Sequence, residues 1–216
     1  EANGFVPAVP ELKEAAHRTR RIGLGITGLG DVLYQLRVRY GSVESRDLAG
    51  QLMAFIRYQA MRASVDLARE RGPFPAIKGS VYDPSDVRWT PPEPVEPFSA
   101  PERWDRPPLD WDALVADIGR YGIRNAAQTT IAPTGTRSTI AGIEAYGCEP
   151  VFALAYVRHM NDDGDDVELK YTSPLFLEAL EEAELEDERR DRIIEQVAVS
   201  GSCQDVEEVP EAIREV

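Results

Sequence analysis

A chain of 216 residues, 43% hydrophobic and 29% charged, is long enough to bury a core and too apolar for a disordered tail. Its formal net charge of −14 and pI of about 4.6 weigh against a grip on nucleic acid or an anionic membrane. No apolar run reaches the roughly 18–20 residues of a membrane span. Two cysteines, Cys148 and Cys203, are too few for a disulfide framework and fit a reducing, cytoplasmic setting. Lysine occurs only at Lys13, Lys78 and Lys170, and the other basic residues are arginine. An acidic, lysine-poor surface reads equally as adaptation to high salt or as the ordinary solvated surface of an arginine-rich organism. A melting temperature that stays flat from dilute buffer to molar salt would reject adaptation.

In chain order, EANGFVPAVP lacks the basic and apolar regions of a signal peptide and opens directly on a helix expected over Glu11–Arg21, behind Pro10. Ile22, Ile26, Leu29, Leu33 and Leu36 recur at three and four, which predicts one helix from Ile22 to about Val38. Within it, Gly23-Leu24-Gly25-Ile26-Thr27-Gly28 matches the dinucleotide-binding spacing G-x-G-x-x-G. That chemistry needs a hydrophobic strand before the first glycine, and the preceding EAAHRTRR is charged and helical, so the nucleotide reading fails on context. A longer helix is expected from about Val43 to Arg71, with Leu48, Leu52, Phe55, Ala60, Ala63 and Leu67 as its buried stripe and Gly72-Pro73 as its stop.

Ten of the sixteen prolines fall between Pro73 and Pro108, with Trp89 and Trp104 among them. Residues 72–108 therefore read as an ordered surface insert, docked by its tryptophans, that cannot hold a long helix or central strand. A short helix follows over Asp110–Tyr121, closed by Gly122. Ala126–Ala132 and Val151–Val157 are expected as buried strands. Asn161–Asp166 reads as a solvated turn, and Pro174–Glu184 and Glu186–Val199 as helices, with Glu181–Asp191 a solvated acidic face. The closing VPEAIREV starts a helix and ends after about two turns. Both ends read as those of a piece of a larger fold; a split gene, an interrupting intein and a deliberate truncation all fit.

The chemistry concentrates after the first expected strand. Pro133-Thr134-Gly135-Thr136-Arg137-Ser138 offers what an anion needs: a glycine for close backbone approach, three hydroxyls, and a guanidinium. A helix starting there would add its positive end. On chemistry alone an ordinary Pro-Thr-Gly turn is the plainer reading, so the residues define a candidate anion site.

The string NAAQTTIAPTGT, then IAG, then EPVFALAY, closely resembles the adenosylcobalamin-dependent ribonucleotide reductases. In that family N-A-x-x-T-T-I-A-P-T-G-T precedes I-A-G and E-P-x-F-A-L-x-Y. RRIGLGITGLGDVLYQL is similar to the family's R-K-I-G-L-G-V-M-G-F-A-D segment, and SGSCQDVEEVPEAIREV to the stretch leading into its next barrel helix. The resemblance implies an α/β fold, a fragment of a ten-stranded barrel that is mostly helical with a few strands, and places 1–216 in the C-terminal part of the catalytic barrel. It implies an oxidoreductase of deoxyribonucleotide biosynthesis and DNA replication, with cobalt-containing adenosylcobalamin as cofactor of the complete enzyme. Pro133, Thr134, Gly135, Thr136 and Arg137 would hold the substrate's phosphates. The family's thiyl cysteine sits in N-P-C-G-E, which this chain lacks, so no catalytic residue and no metal ligand is expected here. The implied partners are a ribonucleotide, the upstream part of the reductase, and further copies of the complete enzyme. A non-catalytic assembly partner and a stand-alone nucleotide-binding module are the alternatives.

Two departures stand out. Arg137 occupies a place where the family usually has an apolar residue, pointing either at the ligand or outward. IAGIEAYGCEP is one residue longer than the common I-A-G-x-S-S-G-I-E-P, which brings Cys148 near the barrel. Cys148 and Cys203 read as buried small hydrophobes rather than redox thiols. His17 and His159 read as structural. Glu144 or Glu149 could orient a substrate or cap a backbone N–H.

Overall fold

The computed structural model describes residues 9–93, 108–162 and 165–216. Trp104, the prolines between 94 and 107, and the tip of the expected acidic turn at 163–164 lie outside the described residues. Eight α-helices and one two-stranded sheet form among those described. The chain divides into two units, one of Glu1–Gly25 with Arg46–Ile131, the other of Ile26–Ser45 with Ala132–Val216.

The first unit begins with α1 (Pro10–Thr19), which has its proline in the first turn and ends where Arg20 turns left-handed and donates its N–H to Ala16 O. The helix expected from Ile22 is not there. Residues 22–25 are extended and run parallel to 127–130: Ile22 N donates to Ala127 O at 3.0 Å, Leu24 N to Gln128 O at 2.9 Å, and Thr130 N to Leu24 O at 2.9 Å. Ile22, Leu24 and Ile26 alternate with small or polar residues, a strand period that coincides with part of the helical one. The glycines serve this approach; a Cβ on Gly25 would lie 2.5 Å from Thr130 O. Of the strand expected over Ala126–Ala132, this pairing is all that forms.

The long helix α3 (Val43–Arg71) has the expected bounds but a different buried face. Leu48, Gln51, Met61, Ser64, Val65 and Ala68 are buried, whereas Phe55 and Leu67 stand 38% and 36% exposed. Met61 and Val65 meet Leu114 and Ile118 of α4 (Trp111–Tyr121), whose first turn is capped by Asp110 Oδ1 accepting from Ala113 N. Residues 72–93 form successive turns with no helix or strand, and their Phe74, Tyr82 and Trp89 complete the same core. Trp89 lies 6.0 Å from Trp111, whose ring meets Tyr58 edge-on at 5.1 Å.

In the second unit, a shorter helix α2 (Leu29–Gln35) starts after Gly28, which sits at φ 81. It is followed along the chain by α5 (Gly135–Ala141), the hairpin β1 (Ala155–Asp162) and β2 (Asp165–Thr172), then α6 (Pro174–Glu182), α7 (Asp187–Ser200) and α8 (Glu211–Arg214). The hairpin is antiparallel with Ala155 opposite Thr172 and Asp162 opposite Asp165. The strand expected at Val151 starts four residues later, because Leu154 N is taken by Gly201 O where α7 ends. β2 was not anticipated, although Val167, Leu169 and Tyr171 alternate behind an acidic turn. Phe176, Leu180, Ile193, Val197, Val209 and Ile213 form the core of this unit, and Ser173 caps α6 by accepting from Phe176 N at 3.0 Å.

Candidate functional site

The second unit contains the whole of the candidate anion turn. Its backbone is set at Thr134, the N-cap position of α5, which adopts φ 56 and ψ 19. For a β-branched residue this left-handed conformation costs about 1–2 kcal/mol and persists only where the surroundings over-determine it. The surroundings here are hydroxyls. Thr134 Oγ1 donates to Thr27 Oγ1 at 2.9 Å, lies 3.2 Å from Ser138 Oγ, and accepts from Gly147 N at 2.9 Å. Thr27 Oγ1 and Ser138 Oγ are 2.5 Å apart. Ser138 is fully buried and Thr27 is exposed.

The next segment is clamped from α2. Both carboxylate oxygens of Asp31 accept backbone bonds, from Glu144 N at 3.0 Å and Ala145 N at 2.8 Å, while Gly28 N donates to Ala145 O at 3.2 Å. Gly147 needs to be glycine: it sits at φ 46, and a Cβ there would lie 2.5 Å from Ala132 O. The Tyr146 ring covers Gly135, its Cε2 being 3.4 Å from where a Cβ would stand.

The consequence is a helix start without a cap. Thr134 makes no side-chain cap bond to α5, and the first backbone bond into that helix is Ser138 N to Thr134 O. The N–H groups of Gly135, Thr136 and Arg137 are the orphan donors that every helix start leaves. Thr136 and Arg137 are exposed, and Arg137 forms no ion pair with a described residue. Of the five residues expected to hold phosphate, the structure brings the amides of Gly135, Thr136 and Arg137 to one exposed turn. The hydroxyls of Thr134 and Ser138 are spent inside it, and Pro133 has no N–H to give. Thr27, Asp31 and Gly147 were not singled out as site residues. The spacing of motifs does not disclose that residues 27 and 134 share a hydrogen bond.

Beside the turn, a cavity of about 770 Å³ is lined by Glu144, Tyr146, Phe152, Tyr156 and Tyr171 among others. Burial first, and then the Glu144 carboxylate, push the Tyr171 phenol up to about 12, so it stays a protonated donor. Glu144 Oε1 accepts from Leu175 N at 3.1 Å, the backbone-capping role considered for it. Cys148 is half-buried and its carbonyl accepts from Tyr40 Oη; Cys203 is buried, which pushes its thiol up. His159 lies 3.6 Å from Glu168 across the hairpin, where both are exposed. Among the described residues no group of three or more His, Cys, Asp or Glu could hold a metal ion, and no helix is long and apolar enough to cross a membrane.

Comparison with known proteins follows the same segments. The family model of the ribonucleotide reductase barrel domain matches residues 4–216. A vitamin B12-dependent ribonucleoside-diphosphate reductase of Thermoplasma acidophilum is 33% identical over 206 residues, covering 95% of this chain and 21% of the relative. A protein of the same name from Mycobacterium tuberculosis is 40% identical over 149 residues, 69% of this chain and 16% of the relative. The ribonucleoside-diphosphate reductase large subunit of Caenorhabditis elegans is 30% identical, covering 96% of this chain and 24% of the relative. The chain belongs to the ribonucleotide reductase barrel-domain family. It spans about a fifth of the length of the curated relatives it matches.

Proposed function

We propose that the chain is the C-terminal part of the catalytic barrel of a ribonucleotide reductase, and that its turn Pro133–Arg137 holds the substrate's phosphates. The observation that carries this is the uncapped start of α5, where the N–H groups of residues 135–137 have no acceptor within the helix and Thr136 and Arg137 are exposed. Oriented amides with no internal acceptor favour an anion at little reorganisation cost, and Arg137 adds charge where the rest of the surface is acidic. The vitamin B12-dependent relatives support adenosylcobalamin as cofactor of the complete enzyme. No residue of this chain is assigned to hold it.

In this reading the complete enzyme closes a ten-stranded barrel and acts in the cytoplasm as an oligomer. It converts ribonucleotides to 2′-deoxyribonucleotides through a thiyl cysteine that takes the ribose 3′-hydrogen. That cysteine belongs to the upstream part of the barrel, and this chain contributes phosphate binding. Ile140, Phe152 and Val199, 82%, 91% and 90% exposed, are apolar side chains that such a partner would cover. The test is reconstitution. The chain mixed with the upstream part should reduce ribonucleotides, and the chain alone should give no turnover. In the assembly, Arg137→Ala should raise KM about tenfold with kcat little changed, the loss of one charge-assisted contact made equally in ground and transition states. Turnover by the chain alone, or an assembly that binds nucleotide without any change at residues 135–137, would overturn the proposal.

A further inference from the structure

We infer that Thr27 is a positioning residue for the phosphate turn: its hydroxyl closes a ring with Thr134 and Ser138 that stops Thr134 from capping α5, and so keeps the amides of residues 135–137 open. The anion's part in this rests on the phosphate role proposed above; the ring's part does not.

A hydroxyl has one proton to give and two lone pairs to offer. The Thr134 proton goes to Thr27 Oγ1. The Thr27 proton is then left for Ser138 Oγ, 2.5 Å away, and the Ser138 proton for Thr134 Oγ1 at 3.2 Å. Each hydroxyl of the ring gives once and accepts once. The second lone pair of Thr134 is taken by Gly147 N. Nothing remains on Thr134 for the N–H of Thr136 or Arg137, the groups a capping threonine normally serves. The backbone agrees, because a capping residue is extended and Thr134 is left-handed.

Removing the Thr27 hydroxyl opens the ring. With its acceptor gone, the Thr134 proton turns to Ser138 Oγ, 3.2 Å away and itself released from Thr27, and this frees the Thr134 lone pair that Ser138 had occupied. The strained backbone of Thr134 then loses part of what holds it. Its relaxed alternative is the ordinary extended cap, with Oγ1 on an amide of the first turn, which closes the anion site from within. Thr27 is exposed, so Thr27→Val keeps the side-chain shape at little packing cost. Thr27→Ser keeps the hydroxyl.

The test is nuclear magnetic resonance on the 216-residue chain, first without ligand and then titrated with pyrophosphate. In Thr27→Val, exchange of the Thr136 or Arg137 amide should slow about tenfold, and the Thr134 coupling constant should report a negative φ. Pyrophosphate should bind about tenfold more weakly. Thr27→Ser should match the parent protein in all three. A ligand-free turn unchanged by Thr27→Val overturns the inference. So does weaker pyrophosphate binding with the ligand-free turn intact, since Thr27 would then touch the anion directly. If the turn rearranges as stated but the parent chain shows no response of residues 135–137 to pyrophosphate, the positioning role stands and the phosphate reading falls.

Discussion

Two polar knots, one in each unit, use the same chemistry to opposite ends. In the first unit Asn125 is buried with its groups paired. Its N–H donates to Ser64 Oγ at 3.0 Å, its Oδ1 accepts from that hydroxyl at 2.8 Å, its Nδ2 donates to Arg20 O at 2.7 Å, and its carbonyl accepts from Gln128 Nε2 at 2.5 Å. These bonds tie α3 to the segments on either side of the parallel pairing. In the second unit the knot of Thr27, Thr134, Ser138 and Gly147 is equally self-contained, but it lies at the surface beside three amides it leaves alone. A knot closed on all sides holds a fold. One that consumes its own hydroxyls leaves the neighbouring helix-start amides without an internal acceptor.

Asn125→Ala attacks the first knot and should give the largest effect. It removes the partners of the Ser64 hydroxyl and the Arg20 carbonyl while the backbone bonds of residue 125 to Ser64 and Gln128 remain, at about 3 kcal/mol, read as a lower urea midpoint. The Thr134 coupling constant should not move, and if it does the two knots are not the independent devices drawn here. Gly147→Ala comes next. It places a Cβ 2.5 Å from Ala132 O and 2.8 Å from Glu149 Oε2 at a positive φ, which should cost about 2 kcal/mol. It should also pull the Gly147 N–H off Thr134, so the Thr134 hydroxyl resonance should shift. A loss below about 0.5 kcal/mol, the range of an ordinary surface change, would show that the second knot is slack.

The two knots also mark where the sequence could be read. Helix α3 was legible to its last residue because Gly72-Pro73 stops it and no glycine or proline interrupts it beyond Gly50. Its buried face was not, since apolar residues surround this helix and only the tertiary partners decide between Leu67 and its neighbour Ala68. The segment from Ile22 misled because alternation and helical spacing share Ile22 and Ile26; the parallel partner at 127–130 lies a hundred residues away and leaves no local mark. The candidate anion turn was legible as composition, proline, glycine and hydroxyls in a row. Which of its hydroxyls are bonded internally was not, because that depends on Thr27 and Gly147, 107 and 13 residues from Thr134, which no spacing rule links to it.

The smallest effect is expected at a third knot, on the 72–93 loop of the first unit. Asp83 Oδ2 accepts from Gly79 N at 2.6 Å, and Oδ1 accepts from Ser85 N at 3.0 Å and Ser85 Oγ at 2.7 Å. These bonds, with the Gly79 amide the strongest, hold its carboxyl down at about 2. The folded chain therefore releases this proton more readily than the unfolded one, whose value is about 3.9. Stability from Asp83 is present above that unfolded value and drains away as pH falls through about 2. The urea midpoint of Asp83→Asn should accordingly lie slightly below that of the parent near neutral pH, and the gap should close as the pH is lowered toward about 2. A gap that persists unchanged would mean that the shape of the turn, not the charge on Asp83, supplies the hold. The loop would then resemble the Asn125 knot, where neutral groups carry the load, more than an anion's answer to exposed amides.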